Sequence, residues 1–439
     1  MSDIADDIEA DALSPVVEPS KPRLFRILGP GLITGASDDD PSGIATYMQT
    51  GALLGYAASW MLLFSYPLMV AIQIVCARIG RTTGVGLAGN LRKFCPPWLL
   101  YSSVFLLLVA NIVNIGADIG AMGESVRILV GGPSILYVLA FGAVCAIASI
   151  FLDYKRYVAV LKWLSLALFA YVATLFMVKV DWAELARGLF VPRIVFDSGW
   201  LTSIVAILGT TISPYLFFWQ SSQEVEDTKA FPRRQPLTRA PGQAQAAHAR
   251  IAMDTFVGMG FSNLIALAIM VTAASTLHQA NVTNVQSAAE AAKALEPLAG
   301  RFAQMVFALG IVGTGLLAVP VLAGSAAYGV GESFRWPTGL DRAPAEAKAF
   351  YGVIAVATAA GVIINFSPIN PIQALFWSAV VNGVVAVPIM ALAMLMAASP
   401  RIMGAHTIGL PLKAVGWMST LVMALTAAAM VVLNIAAAG

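Results

Sequence analysis

Residues 35–48 read Gly-Ala-Ser-Asp-Asp-Asp-Pro-Ser-Gly-Ile-Ala-Thr-Tyr-Met, and apolar sequence lies on both sides of them. Three consecutive carboxylates, at positions 38–40, are costly at membrane depth and usually face a water-filled cavity or an ion path. Pro41 removes a backbone donor, and Gly43 loosens the helical turn that follows. This stretch therefore predicts a membrane-spanning helix that is interrupted near its middle.

The whole chain is far more apolar than a water-soluble domain. Of its 439 residues, 59% are hydrophobic and 11% are charged, whereas about a quarter are charged in a typical soluble domain. The composition indicates a polytopic protein of the lipid bilayer, and the net charge of +2 gives no indication of a nucleic-acid partner. The three cysteines lack metal-ligand spacing and are expected to be buried thiols.

Stretches of roughly twenty apolar residues predict about eleven membrane spans. Their expected bounds are 24–50, 56–79, 98–129, 134–153, 157–179, 199–223, 250–277, 301–331, 349–366, 371–397 and 411–437. Residues 1–22 are acidic and lack an apolar core, which is typical of a disordered cytoplasmic tail. With the N-terminus inside, the inside segments hold 19 of the 26 lysines and arginines. The positive-inside rule then predicts a cytoplasmic N-terminus and an external C-terminus, in a bacterial-type inner membrane.

The sixth predicted span repeats the pattern of the first. Here Pro214 follows the hydroxyl residues Thr210 and Ser213 within an apolar run. Five spans separate the start of the first interrupted helix from the start of the second, and an odd number of spans inverts the second unit relative to the first. We therefore predict an all-α transporter domain over 23–439 with a five-plus-five inverted repeat, in which 23–180 and 198–398 are the halves and 411–437 is an added helix.

The two interruptions supply oxygen ligands. Asp40 precedes Pro41, with Ser37 about one helical turn earlier, and Ser213 precedes Pro214 in the same way. Carboxylate, carbonyl and hydroxyl oxygens suit a hard divalent cation such as magnesium or manganese. The predicted metal-binding residues are Asp40, Ser37, Thr210, Ser213 and Gly43.

Further polar residues in the spans are predicted to line the pathway or to support the site. They are Tyr215, Gln220, Asp118, Asn111, Asn114, Asp38, Asp39, Asn263 and Asn382. A structural alternative stays open for several of them. The prolines can be simple kinks, the hydroxyl groups can bond to backbone carbonyls, and the polar face of span three can serve interhelical hydrogen bonding.

With these motifs, the sequence resembles the Nramp family of divalent-metal transporters over nearly all of the chain after the tail. Residues 40–43, Asp-Pro-Ser-Gly, align with the family's Asp-Pro-Gly-Asn motif, and residues 213–215, Ser-Pro-Tyr, align with its Met-Pro-His motif. The family implies a LeuT-like fold with broken helices 1 and 6, and transport of divalent cations by alternating access.

The departures from the family pattern resemble the Nramp-related magnesium transporters. The motif asparagine is Gly43, the metal-binding methionine is Ser213, and two histidines are Tyr215 and Gln220. In span three Asp118 matches a proton-handling aspartate, whereas two family glutamates are replaced by alanine and asparagine. This resemblance implies uptake of magnesium and manganese, a partly hydrated ion and little or no proton coupling. No cofactor beyond the transported ion is expected, and the expected state is a monomer.

Three alternatives remain from the sequence. A proton-coupled manganese or iron transporter of the Nramp family is the nearest one. An amino-acid transporter of the same architecture is disfavoured, because the acidic run at 38–40 would repel a substrate carboxylate. An intramembrane enzyme is disfavoured because no pairing of a nucleophile with a base is visible in the spans.

Overall fold

The structure, a computed structural model, describes residues 30–152, 168–231 and 233–438. All regular elements in these ranges are helical. The predicted tail at 1–22 and residues 157–167 of the predicted fifth span, 157–179, lie outside the described residues. Within them, eight helices are long and apolar enough to cross a membrane, which confirms the all-α polytopic architecture.

The α-helices are numbered here in chain order. The first nine are α1 Pro30–Asp38, α2 Pro41–Leu54, α3 Trp60–Thr83, α4 Leu87–Phe94, α5 Pro97–Val130, α6 Ser134–Phe151, α7 Phe169–Thr174, α8 Trp182–Phe190 and α9 Ser198–Thr211. The others are α10 Pro214–Lys229, α11 Ala244–Ala273, α12 Ala288–Ala292, α13 Glu296–Ala299, α14 Ala303–Phe334, α15 Lys348–Ile364, α16 Pro371–Ala397, α17 Pro400–Met403 and α18 Leu410–Ala438.

The second span begins four residues later than the sequence predicted. A 3-10 turn over Gly55–Ala58 precedes α3, and Gly84 ends that helix with a left-handed φ of 68°. Glycine adopts this conformation without the steric penalty of a Cβ, so the helix stops there. The hydropathy pattern alone does not carry this turn information.

The long helices form two layers around the centre of the bundle. One layer contains α1, α2, α3, α9, α10 and α11, which pack on one another. The other contains α5, α6, α14 and α15, and α16 contacts both layers through α9 and α5. In the most apolar stretch of 18 residues within the α9–α10 span, all residues are buried in the protein. This interrupted span therefore occupies the centre of the bundle.

A row of contacts holds α1 against α11. The Asp254 carboxylate accepts a hydrogen bond from the Gly31 amide at 2.9 Å. One turn further along α11, Gly258 meets Gly35 so closely that a Cβ on Gly35 would lie 2.3 Å from the Gly258 carbonyl oxygen. Another turn further, Ser262 donates to Asp38 at 2.6 Å. Positions four apart share one face of a helix, so one face of α11 fixes α1 along its length.

Basic residues mark one end of the bundle. The end at which α1 begins also holds Arg81 near the end of α3, Arg92 on α4, Arg250 near the start of α11 and Arg335 just after α14. We call this the basic end, and the end at which α2 and α5 finish the opposite end.

Candidate functional site

Two helix breaks lie at the centre of the bundle. The first separates α1 from α2 and the second separates α9 from α10. Asp40 and Ser213, which precede the two prolines, are extended, with ψ values of 168° and 130°. The proline ring disfavours helical backbone in the residue before it, while proline itself fits the first position of a helix. The predicted interruptions of spans one and six are therefore confirmed.

Asp40 is anchored at the first break. One carboxylate oxygen accepts from the Gly43 amide and from the Ser42 hydroxyl, both at 2.7 Å, which caps α2. The other oxygen accepts from Asn114 Nδ2 of α5 at 2.8 Å. Asp40 is only 2% exposed, so its orientation is fixed from both layers of the bundle.

At the second break, the Ser213 hydroxyl donates to backbone carbonyls of its own span. Its partners are the carbonyl oxygens of Gly209 and Thr210, each at 2.8 Å. This is the backbone-bonded arrangement that the sequence left open. The hydroxyl keeps its oxygen lone pairs as acceptors while its proton is occupied.

The two breaks touch each other. The Tyr215 hydroxyl on α10 donates to the Ser37 carbonyl of α1 at 3.0 Å. A Cβ built on Gly43 would lie 3.0 Å from Thr210 Oγ1. In this conformation the absence of a side chain at Gly43 permits the close approach of α2 and α9.

Four buried carboxylates surround the first break. Asp38, Asp39, Asp40 and Asp118 are 0%, 4%, 2% and 0% exposed. In the described ranges, no lysine or arginine forms an ion pair with any of them. Buried charge without a partner is strongly unfavourable, so this region has an electrostatic requirement for cations.

The acidic side chains have few hydrogen-bond donors. Ser262 of α11 donates to Asp38 at 2.6 Å and contacts Asp39 at 3.1 Å. Neither oxygen of Asp118 accepts a hydrogen bond from a side chain among the described residues. One hydroxyl proton cannot satisfy two carboxylates, so the cluster has spare acceptor capacity.

Side chains alone do not make a closed ligand set. Within the described part of the chain, no three histidine, cysteine or acidic groups are placed to hold a metal ion together. A metal would therefore also need backbone carbonyls, hydroxyls or water. One thioether lies nearby: a Cβ on Gly315 would be 2.4 Å from Met122 Sδ and 3.3 Å from Pro41 Cγ. The sequence analysis missed Met122, which lies one turn beyond Asp118.

The remaining predicted residues are dispersed around the breaks. Asn111 donates to the Leu322 carbonyl of α14 at 2.8 Å, and Gln220 donates to Thr255 of α11 at 3.0 Å. Both serve contacts between helices. Asn382 is buried, and neither of its amide atoms has a partner in the described ranges. It precedes Gly383, which meets α9 near the second break.

Some site residues escaped the sequence analysis. Asn263 was predicted, but its neighbour Ser262 reaches the acidic cluster while Asn263 is half-buried. Ser42 binds Asp40, and Ser325 of α14 donates to the Tyr215 carbonyl at 2.7 Å. Ser42 lies inside the first interrupted motif, so its position in the sequence could have identified it as a site residue. Serines are frequent in the spans, so the sequence does not single out the other two.

A cavity approaches the site from the opposite end. It has a volume of about 380 Å³ and is lined by α2, α9, α14 and α16. Ala45 and Met48 of α2 contribute to its wall, and the exposed Asn284 and Gln373 lie at its rim. Because Asp40 is buried, the cavity stops short of the first break.

The basic end is closed by contacts between the two layers. Glu332 of α14 accepts from the Ser222 hydroxyl of α10 at 3.0 Å and from the Gly89 amide of α4 at 2.9 Å. Glu226 of α10 accepts from the Tyr328 hydroxyl of α14. Two carboxylates thus tie α10 to α14 at the basic end.

Apolar helices in two layers, with two interrupted spans meeting at a buried acidic site, define a membrane transporter of the broken-helix class. The family model for natural resistance-associated macrophage protein-like proteins, Nramp, matches residues 31–433. The chain belongs to the Nramp family. It is therefore a transporter and not an enzyme.

Known proteins resemble the chain in sequence and in fold. The divalent metal cation transporter MntH of Yersinia pestis (strain Pestoides F) is 27% identical over 305 residues, which cover 66% of this chain and 68% of MntH. The Eremococcus coleocola manganese transporter, solved with an aromatic bis-isothiourea compound, matches the fold with a TM-score of 0.70 at 16% identity, over 95% of this chain and 89% of that one. MhsT in complex with L-phenylalanine gives a TM-score of 0.60 at 13% identity, over 92% and 97%.

The role of Glu332 in closing the basic end can be tested by mutation. Glu332→Ala removes the acceptor that joins α10, α4 and α14, and a hydrogen bond to a charged group contributes about 1.5–3 kcal/mol. We expect backbone hydrogen exchange within Pro214–Lys229 to rise about tenfold or more, as measured by mass spectrometry. Glu124→Ala is the control, because it breaks an ion pair with Arg127 near the opposite end. Unchanged exchange in α10 of the Glu332 variant would contradict this role.

Proposed function

We propose that this protein transports divalent metal cations, magnesium first and manganese second, by alternating access. The observation that carries the proposal is the group of four buried carboxylates beside the two breaks, without an ion-paired lysine or arginine in the described ranges. A divalent cation supplies the missing charge. Membership of the Nramp family and similarity to MntH support the same class of substrate.

The proposed ligands are oxygen atoms from both breaks. Asp40 supplies the negative charge, and the backbone at Ser37 and Thr210 supplies carbonyl oxygens. The Ser213 hydroxyl oxygen is a further metal ligand. Both α1 and α9 end at the breaks, and the C-terminus of a helix carries carbonyls outside the helical pattern and a partial negative charge. Gly43 has no side-chain ligand atom; we propose that it permits the approach of the two breaks.

The chemistry of these ligands favours a hard ion. A thioether would select transition metals over magnesium, and Ser213 has only an oxygen to offer. Magnesium keeps several water molecules when proteins bind it, so a site with one directly placed carboxylate suits it. Tyr215 and Gln220 do not titrate near neutral pH as histidine does, which supports transport with little or no proton coupling.

A proton-coupled manganese transporter is the second candidate, and two observations favour it. Met122 places sulfur near Pro41, and thioethers favour transition metals. Asp118 is a buried acid without a side-chain hydrogen-bond partner in the described ranges, and buried acids of this kind occur in proton relays in membranes.

The proposed route runs from the opposite end to the basic end. By the positive-inside rule the basic end faces the cytoplasm of a bacterial-type cell, with the C-terminus outside. The cation enters through the 380 Å³ cavity and leaves when the layer containing the breaks rocks against the other. The halves 23–180 and 198–398 are the proposed inverted repeat, with 411–437 added and a monomer as the working unit. A membrane potential contributes about 2.3 kcal/mol per charge per 100 mV.

Asp40→Asn tests the site assignment. Asparagine keeps the size and the helix-capping oxygen of aspartate but removes the charge that holds the cation. We expect magnesium and manganese uptake into vesicles to fall about a hundredfold, equivalent to about 2.7 kcal/mol. Asp197→Asn is the matched control, because Asp197 caps α9 at its far end by accepting from Trp200. Uptake that is equal in the two variants would contradict the assignment.

Ser213→Met separates the two candidate functions. A thioether at the second break gives a soft ligand to a site that is otherwise built of oxygens. If the native site is hard, cadmium uptake should rise about tenfold or more while magnesium uptake falls, both measured by isotope or fluorescent-indicator flux. Wild-type protein that already carries cadmium as fast as the variant would support the manganese transporter.

A further inference from the structure

Three basic side chains converge at the basic end, away from the transport site. Arg78 lies near the end of α3, His248 near the start of α11, and His406 in the turn between α17 and α18. The rings of His248 and His406 are 6.2 Å apart between centroids, at 80° to each other. Arg78 and Arg81 are close enough to His248 for their charges to act on it. The three elements pack together, since α17 and α18 both contact α3.

Within the described ranges, none of these three side chains forms a hydrogen bond or an ion pair, in contrast to the arginines around them. Arg81 donates to the Gln235 carbonyl and to Gln243, and Arg250 pairs with Glu224. Arg78 Nε and His248 Nε2 are buried atoms without a hydrogen-bond partner in the described ranges. A buried donor left unsatisfied is unfavourable, so the arrangement favours a ligand that accepts hydrogen bonds.

The charges identify the class of ligand. The groups that act electrostatically on His248 are all basic: Arg78, His406 and Arg81. Imidazole pairs often hold metal ions, but two neighbouring guanidinium groups repel a metal cation. A ligand with several acceptor oxygens and negative charge fits the donors, and arginine binds phosphate particularly well.

We propose that Arg78, His248 and His406 bind the phosphate of an anionic phospholipid head group. Basic pockets between membrane helices at the cytoplasmic side are typical lipid head-group sites, and this cluster lies where two spans reach the basic end. Free inorganic phosphate offers the same chemistry, and the experiment below distinguishes the two sources. A lipid bound by these residues would connect α3 and α11 with the segment between α16 and α18. The helices α3 and α11 belong to the layer that contains the breaks. The proposal does not depend on which cation the protein carries.

The test measures stabilisation of the purified full-length protein by defined anions. Wild-type protein in neutral detergent receives phosphatidylglycerol, phosphatidylcholine or inorganic phosphate, and thermal unfolding is followed by tryptophan fluorescence. We expect phosphatidylglycerol to raise the melting temperature by at least about 2 °C more than phosphatidylcholine does, because a ligand that binds only the folded state stabilises it. Native mass spectrometry should show retained phosphatidylglycerol.

The variants locate the site. The triple variant Arg78→Gln, His248→Gln and His406→Gln should lose the additional stabilisation and the retained lipid. Arg401→Gln is the matched control: it removes one positive charge from α17, where Arg401 is exposed and faces the Phe94 ring at 5.9 Å, and should keep both. If the triple variant does not fold, Arg78→Gln alone and the restoring Arg78→Lys give the same comparison.

Each outcome decides the matter. Stabilisation by phosphatidylglycerol that the triple variant loses supports the lipid site, and equal stabilisation by inorganic phosphate would assign the site to free phosphate. The proposal is overturned if neither phosphatidylglycerol nor inorganic phosphate stabilises the wild type more than phosphatidylcholine does, or if the triple variant is stabilised as much as the Arg401→Gln control.

Discussion

The arrangement of this transporter depends on carboxylate charge buried beside interrupted helices. Asp40 is held by the N-terminus of α2 and by Asn114, and three further acids lie around it without an ion-paired basic residue in the described ranges. Removing so much charge from water is tolerable only if cations or protons compensate for it. The packing of both layers follows from this requirement, because the acids must be enclosed while a path to them stays available. The contacts at the basic end help to enclose the acids, and the cavity at the opposite end leads toward them.

Proline by itself does not create the breaks. Pro67, Pro320 and Pro388 lie inside continuous helices. At Pro41 the preceding residue is an aspartate that caps the new helix, and at Pro214 it is a serine bonded to the end of the old one. The extended conformation before proline is stable at these places because side chains satisfy the backbone groups that the interruption leaves. The same groups then become the proposed ligands, so one local feature ends the helix and builds the site.

Much of the fold could be predicted from the sequence, because hydropathy and the paired interruptions are properties of local sequence. The tenth span was placed at 371–397, where α16 lies. Asn114 was selected because it shares a helix face with Asp118, and it does bind Asp40. Contacts across helices were harder. Ser262 and Met122 lie on helices whose rotation about their own axes the hydropathy pattern leaves open. The close approach at Gly43 depends on how two distant segments meet, which no spacing within one segment reveals.

We propose that the charge of the buried acids is compensated by a hard divalent cation and not by a proton. The direct measurement is flux into liposomes containing the purified protein, with magnesium and manganese offered separately and the internal pH recorded at the same time. We expect magnesium and manganese each to enter the liposomes, and we expect that the interior of the liposomes does not acidify with either ion. Manganese uptake accompanied by acidification, with no magnesium uptake, would contradict it and would identify a proton-coupled transporter.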